Sequence, residues 1–207
     1  MKITIIDYNM GNFSAIKNML NFLSIDCIVT SNPIDIYKAE KIILPGVGSF
    51  DYGMENLNSL GISEALKSKV QNSNTPILGV CLGMQLLTKS SDEGVASGLG
   101  FLDAYTKKFI FEDNNQRLKV PNMGWNYITK SNDHALLNSS FSNQKFYFVH
   151  SYYVVCNNND DILATTNYGI KFVSVFKHKN IFGCQFHPEK SHKYGLEVLK
   201  NFSELKL

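Results

Sequence analysis

A chain of 207 residues, 44% hydrophobic and 18% charged, is long enough to bury a sizeable core and has the make-up of a soluble globular protein. Its net charge of +2 gives no electrostatic reason to expect a nucleic acid or an anionic membrane as partner. No apolar run approaches bilayer length, the first residues lack the pattern of a secretory signal, and the cysteines (Cys27, Cys81, Cys156, Cys184) form no Cys-x-x-Cys pair, which argues against zinc and for a reducing cytoplasm.

In chain order, residues 2–8 predict a first strand, and a turn at 9–12 leads into a helical stripe of Phe13, Ile16, Met19, Leu20 and Leu23. Residues 27–30 predict a second strand. Pro33 then opens a short helix, at a position where its missing N–H costs nothing. Residues 41–44 predict a buried third strand, which runs into Pro45-Gly46-Val47-Gly48, and helices are expected over 49–60 and 62–70. Residues 76–80 predict another buried strand, Cys81 follows at once, and 82–89 predict an amphipathic helix. Alternating elements of this size predict a parallel sheet covered by helices on both faces.

Beyond about residue 90 the texture becomes β-rich. Strands are expected over 105–111, 125–129, 146–155, 162–166 and 172–176, with a turn cluster at 157–161. A last apolar strand over 181–186 and a closing helix over 192–205 complete the chain. No linker separates the halves, so residues 1–207 read as a single domain.

In open α/β sheets, ligand and catalytic groups gather at the carboxyl ends of strands. Pro45 to Gly48 is one such end: its glycines let backbone N–H groups point into a site, as an oxyanion hole requires, although an ordinary glycine turn reads the same way. Cys81 is another. A nucleophile on a sharp strand-to-helix turn needs small neighbours, here Gly79 and Gly83, and a helix N-terminus favours a thiolate. A buried structural cysteine fits those residues equally well. The last end is Gln185-Phe186-His187-Pro188-Glu189. In extended backbone, His187 and Glu189 leave the same face, and a carboxylate there fixes the imidazole of a general base. A metal site from His187, Glu189 and His192 lacks further ligands in the sequence. His134 and His178 read as surface, His150 as a hydrogen-bonded strand residue, and Cys27, Cys156 and Cys184 as core.

In this order, Pro45 to Gly48, Gly79 to Gln85, Pro121 to Asn126 and Gln185 to Lys190 resemble the triad (class I) glutamine amidotransferases. Among these, the chain is most similar to the glutaminase subunits of imidazole glycerol phosphate synthase, over essentially its whole length. The resemblance implies a flavodoxin-like three-layer α/β/α fold, a parallel central sheet with an added antiparallel, β-rich second half. It implies that Cys81 attacks the carboxamide of glutamine, with His187 as base then acid and Glu189 orienting it. Backbone N–H groups of Val47 and Leu82 would form the oxyanion hole; Gly48, Gln85, Glu93 and the His150-Ser151-Tyr152 backbone would hold the substrate. No cofactor or metal is implied. Ammonia would pass to a (β/α)₈-barrel cyclase subunit in a heterodimer, which makes imidazole glycerol phosphate and an aminoimidazole carboxamide ribotide (AICAR) in histidine biosynthesis, with Trp125, Asn126 and Lys190 towards that interface. The family commonly has histidine where this chain has Asn122. A paralogous glutaminase serving a cyclase-like partner in the amination of a surface-sugar precursor carries the same triad.

Overall fold

The computed structural model describes residues 2–111, 118–141 and 143–206. The first half runs β1 (Ile3–Ile6), α1 (Phe13–Phe22), β2 (Cys27–Thr30), α2 (Pro33–Lys38), β3 (Lys41–Leu44), α3 (Phe50–Ser59), α4 (Ile62–Asn72), β4 (Ile77–Val80) and α5 (Leu82–Leu86). The second runs β5 (Ala104–Lys108), β6 (Asn122–Tyr127), β7 (Thr129–Lys130), β8 (Lys145–His150), β9 (Tyr152–Cys156), β10 (Ile162–Tyr168), β11 (Ile170–His178), β12 (Ile181–Cys184) and α6 (His192–Glu204).

The main sheet has the order β2-β1-β3-β4-β12-β11-β10-β7. From β2 to β12 the pairing is parallel, and β11, β10 and β7 extend it antiparallel. This is the expected α/β fold with its antiparallel addition. The last strand to be made therefore sits beside β4, in register from Ile181 opposite Ile77 to Cys184 opposite Val80. That one pairing carries residues 185–189 to the cysteine elbow.

The central strands are buried on both faces, which is why they read as unbroken apolar runs. Alternate residues serve opposite layers. Ile42, Leu44 and Ile77 pack with Leu57, Ile62 and Leu66 of α3 and α4, whereas Ile43, Leu78 and Phe182 pack with Ile16 and Leu20 of α1 and Leu199 and Phe202 of α6. Lys41, at the start of β3, is only 1% exposed. Its Nζ donates to the carbonyls of Phe202 (2.8 Å), Ser203 (2.6 Å) and Leu205 (2.7 Å), so all three ammonium hydrogens close the C-terminal end of α6. Burial lowers its pKa from the ordinary lysine value.

The elements depart from the sequence expectation in two instructive places. Helix α5 stops at Leu86 rather than near residue 89, because the carbonyls that would extend it are taken: Leu99 N–H donates to Leu86 O (2.8 Å) and Phe101 N–H to Leu87 O (2.9 Å). The expected strand over 146–155 is two strands. Up to His150 the chain pairs with β6 in a separate two-stranded sheet; from Tyr152 it pairs with β5. Ser151 is where it changes sheets.

Tight packing under the elbow sets a stability expectation. A Cβ at Gly83 would collide with the Leu44 carbonyl oxygen, and one at Gly79 would stand 2.6 Å from Gly83 O. Gly83→Ala is expected to cost about 2–3 kcal/mol in urea unfolding, the size of an overpacking defect that side-chain rotation cannot relieve. A loss under about 0.5 kcal/mol would show that the β3 end yields to it.

Candidate active site

Cys81 follows β4 with φ 54°, a left-handed conformation that few side chains adopt without surrounding support. The support is on both sides. Cys81 N–H donates to Cys184 O of β12 at 2.8 Å, and Cys81 O accepts from Gln85 N–H of α5 at 3.3 Å. Its sulfur lies 3.9 Å from Val149 O of β8 and 3.8 Å from Nε2 of Gln185. The thiol opens on a cavity of about 300 Å³.

That cavity collects groups from well-separated parts of the chain. It is lined by Val47 and Gly48 after β3, Leu82 and Gln85 of α5, Glu93 of the following loop, His150, Ser151 and Tyr152 at the change of sheets, and His187 after β12. Val149 and Pro121 also line it; neither is among the residues expected there, although Pro121 opens the 121–126 motif. Glu189 does not reach it: it stands behind His187, its Oε1 2.7 Å from Nδ1. Trp125, Asn126 and Lys190 lie outside it.

His187 and Glu189 are buried, with side chains 1% and 2% exposed. The local geometry differs from the extended backbone expected: residues Pro188–Lys190 form a 3₁₀ turn with His187 as its N-cap, and Pro188 is at the first turn position. The turn, not strand alternation, brings the carboxylate back to the imidazole. Burial acts to lower the basicity of His187, but the Cys81 sulfur and the Glu189 carboxylate outweigh it and hold the ring's pKa well above its ordinary value. Nε2 has no partner in full hydrogen-bond geometry among the described residues, a slack common in unliganded sites. This arrangement can accept a proton from a thiol and keep the resulting charge.

The Leu82 N–H is occupied. It donates to Gly46 O at 3.3 Å, so an oxyanion hole using Leu82 and Val47 is not assembled in this conformation and requires the Gly46–Val47 peptide to turn. Gly48, at φ 113°, gives the segment a backbone state only glycine adopts freely. Against Gly46, Tyr8 is fully buried, its hydroxyl unpartnered among the described residues and raised in pKa by that burial.

The polar groups along the rest of the cavity are held by hydrogen bonds. Glu93 Oε2 accepts from Phe50 N–H (2.8 Å) at the start of α3, and burial raises its pKa. Gln85 Nε2 donates to Tyr152 O (3.1 Å) and to Gln185 Oε1 (3.1 Å). His150 accepts at Nε2 from Asn122 Nδ2 (2.9 Å) and donates from Nδ1 to Tyr152 O (2.7 Å), so Asn122 is a buried partner of the cavity wall.

Burial lowers the His150 pKa from 6.5 to about 4. Between those values the unfolded chain binds a proton that the folded chain refuses, so stability present above pH 6.5 is lost as pH falls towards 4. Urea unfolding of the parent should lose roughly 3 kcal/mol more over that interval than His150→Gln does. Parallel pH dependence of the two would locate the titration elsewhere.

Outside the cavity, β6 exposes Met123, Trp125 and Tyr127 on one face. Trp125 stacks on His192 (5.5 Å between rings, 1° between planes), and Lys190 lies over Tyr147 at 5.7 Å. Asn126 Nδ2 donates to Asn167 O. His134 and His178, expected at the surface, are half-buried: His134 packs on Phe182, and His178 pairs with Asp161 at 3.0 Å. Among the described residues no group of three or more His, Cys, Asp or Glu could hold a metal ion, and no helix is long and apolar enough to cross a membrane.

The model of the family "Glutamine amidotransferase class-I" matches residues 4–205. A Methanococcus maripaludis protein named imidazole glycerol phosphate synthase subunit HisH 2 is 52% identical over 200 residues, 97% of this chain and 98% of that one. The subunit HisH of Leptospira interrogans is 44% identical over 203 residues, 98% of this chain and 100% of the relative. Among solved structures, PurLQS from Thermotoga maritima superposes with a TM-score of 0.71 at 16% identity, over 97% of this chain and 96% of that one. A glutamine amidotransferase from Thermotoga maritima gives 0.63 at 17%, over 97% and 83%. At such identities these two structures speak for the fold.

Proposed function

The chain belongs to the class-I glutamine amidotransferase family, and from that membership we propose that it is the glutaminase subunit of an imidazole glycerol phosphate synthase. The observation that carries the chemistry is His187 after β12, backed by the buried Glu189 carboxylate and lining one cavity with Cys81 after β4. What supports the pathway is identity of 42–52% to relatives bearing that subunit name along nearly their full length.

His187 takes the thiol proton, and the Cys81 sulfur attacks the carboxamide carbon of glutamine. The tetrahedral intermediate collapses to a glutamyl thioester as His187 returns the proton to the departing ammonia. Water, deprotonated by the same imidazole, then releases glutamate. Glu189 holds the imidazole in one tautomer and stabilises its charged form. The developing oxyanion is held by the Val47 and Leu82 N–H groups once the Gly46–Val47 peptide has turned. In the resting conformation the Gly46 carbonyl fills that place, so the enzyme idles until the turn is favoured, a population shift of a glycine-hinged segment. Glu93 offers a carboxylate to the substrate's α-ammonium; Gly48, Gln85 and the backbone from His150 to Tyr152 complete the pocket.

The ammonia passes to a (β/α)₈-barrel cyclase subunit. The apolar stripe of β6 with Trp125, beside Asn126 and Lys190, is the surface we assign to that partner. Free cysteines throughout the described residues fit a reducing cytoplasm. The test is genetic. Expressed with the barrel protein that co-purifies with it, the chain should restore growth without histidine to a strain lacking its own glutaminase subunit. Glutamine hydrolysis by that complex without growth would send the ammonia to a sugar precursor instead.

A further inference from the structure

Gln185 has no role in the mechanism above, yet it is fully buried against both the nucleophile and Gln85. It follows β12 directly, and its backbone N–H is fixed to Ser174 O of β11 at 2.9 Å. Its carboxamide makes two contacts of opposite sense. Oε1 accepts from Gln85 Nε2 at 3.1 Å, and Nε2 donates to the Cys81 sulfur at 3.8 Å.

We propose that Gln185 is a positioning residue for the glutaminase reaction: it sets the orientation of the Gln85 amide and supplies the Cys81 sulfur with a donor that never titrates. The inference rests on the glutaminase reading and deepens it.

The donors and acceptors run in one consistent direction. Gln85 Nε2 has two hydrogens, one on Tyr152 O and the other on Gln185 Oε1. With both used, Gln85 is locked with its own Oε1 free, and its contribution to the cavity is an acceptor, suited to a substrate N–H. Because Gln185 must turn its oxygen to Gln85, its NH₂ is left for the sulfur. Neither amide can flip without orphaning a buried group.

Besides the Val149 carbonyl at 3.9 Å, the sulfur has two kinds of neighbour. His187 shares its charge and moves the proton. Gln185 moves no proton; it holds Sγ in place, stabilises the thiolate before attack and eases its departure from the thioester. The other ionisable groups that feel Cys81 are Tyr8, after β1, and Cys184 of β12. Burial raises both, so they stay neutral and do not compete. Glu189 reaches the sulfur through His187.

Two substitutions separate the roles. Gln185→Met keeps the length and removes both polar atoms; Gln185→Glu keeps the acceptor for Gln85 but replaces the donor with a negative charge. The readout is the pH dependence of iodoacetamide alkylation at Cys81, located by mass spectrometry, alongside kcat and KM for glutamine with the barrel partner present. The methionine variant should shift the alkylation midpoint about one pH unit upward and lower kcat about tenfold, the loss of one hydrogen bond to a charged group. The glutamate variant should shift further still. A glutamate variant matching the parent in both profile and kcat would overturn the proposal, since its bond to Gln85 is intact. Should the methionine variant fail to fold, the glutamate variant decides alone. Failure of the glutaminase reading looks different: the unsubstituted complex itself would yield no glutamate from glutamine.

Discussion

Cys81→Ala is expected to lower glutamine-dependent synthesis by the complex by a factor of about 10⁴ or more, to the level left when a covalent nucleophile is removed. Synthesis supported by added ammonia should be unchanged, because the substitution touches nothing beyond the elbow. The fold has little reason to respond. Alanine at φ 54° is no more strained than cysteine there, and the backbone bonds to Cys184 O and from Gln85 N–H remain. The sulfur itself makes only long contacts, at 3.9 Å to Val149 O and 3.8 Å to Gln185. Cys156→Ala, well away from the cavity, is the thiol control and should keep full activity. Glutaminase activity surviving in Cys81→Ala would remove the thioester from the mechanism.

The parallel core was legible because its strands are buried on both faces and so appear as short apolar runs beside turn residues; residues 41–44 and 77–80 are such runs. The elbow was legible for a related reason. Gly79 and Gly83 are where α5 meets the ends of β3 and β4, a contact that leaves no room for side chains. What local pattern could not show was anything decided by distant partners. Residues 146–155 read as one strand because their apolar content is continuous, yet the change of hydrogen-bond partner at Ser151 is what bends His150 to Tyr152 around the cavity. Lys41 heads a strand expected to be buried, and the carbonyls that hold its ammonium lie more than 160 residues away at the end of α6. Gln185 stood inside a recognised segment, but its contacts with Gln85 and Cys81 exist only once β12 is inserted beside β4. The occupied Leu82 N–H is a conformational fact, and a motif naming oxyanion donors does not say whether they are free.

Glu189→Gln tests the other half of the triad, and its energetics make the result unusually clean. In the parent, one carboxylate oxygen meets His187 at 2.7 Å, while Oε2 is buried with no partner among the described residues. Keeping a charge there is costly to folding, so an uncharged glutamine of the same shape should leave the melting temperature unchanged or raise it. Activity should move the other way. A glutamine can turn its NH₂ towards Nδ1 and stabilise the wrong tautomer, and it offers no negative charge to the imidazolium, so kcat should fall by about 10²–10⁴ with little change in KM. The sign of the pH effect follows from what holds the His187 proton. The Glu189 carboxylate helps raise that pKa against the effect of burial. Without it the proton is lost at lower pH, and the alkaline limb of kcat should move towards neutrality. A stable variant with an unmoved alkaline limb and kcat within a few-fold of the parent would leave Glu189 as packing behind the imidazole, with His187 oriented by the turn alone.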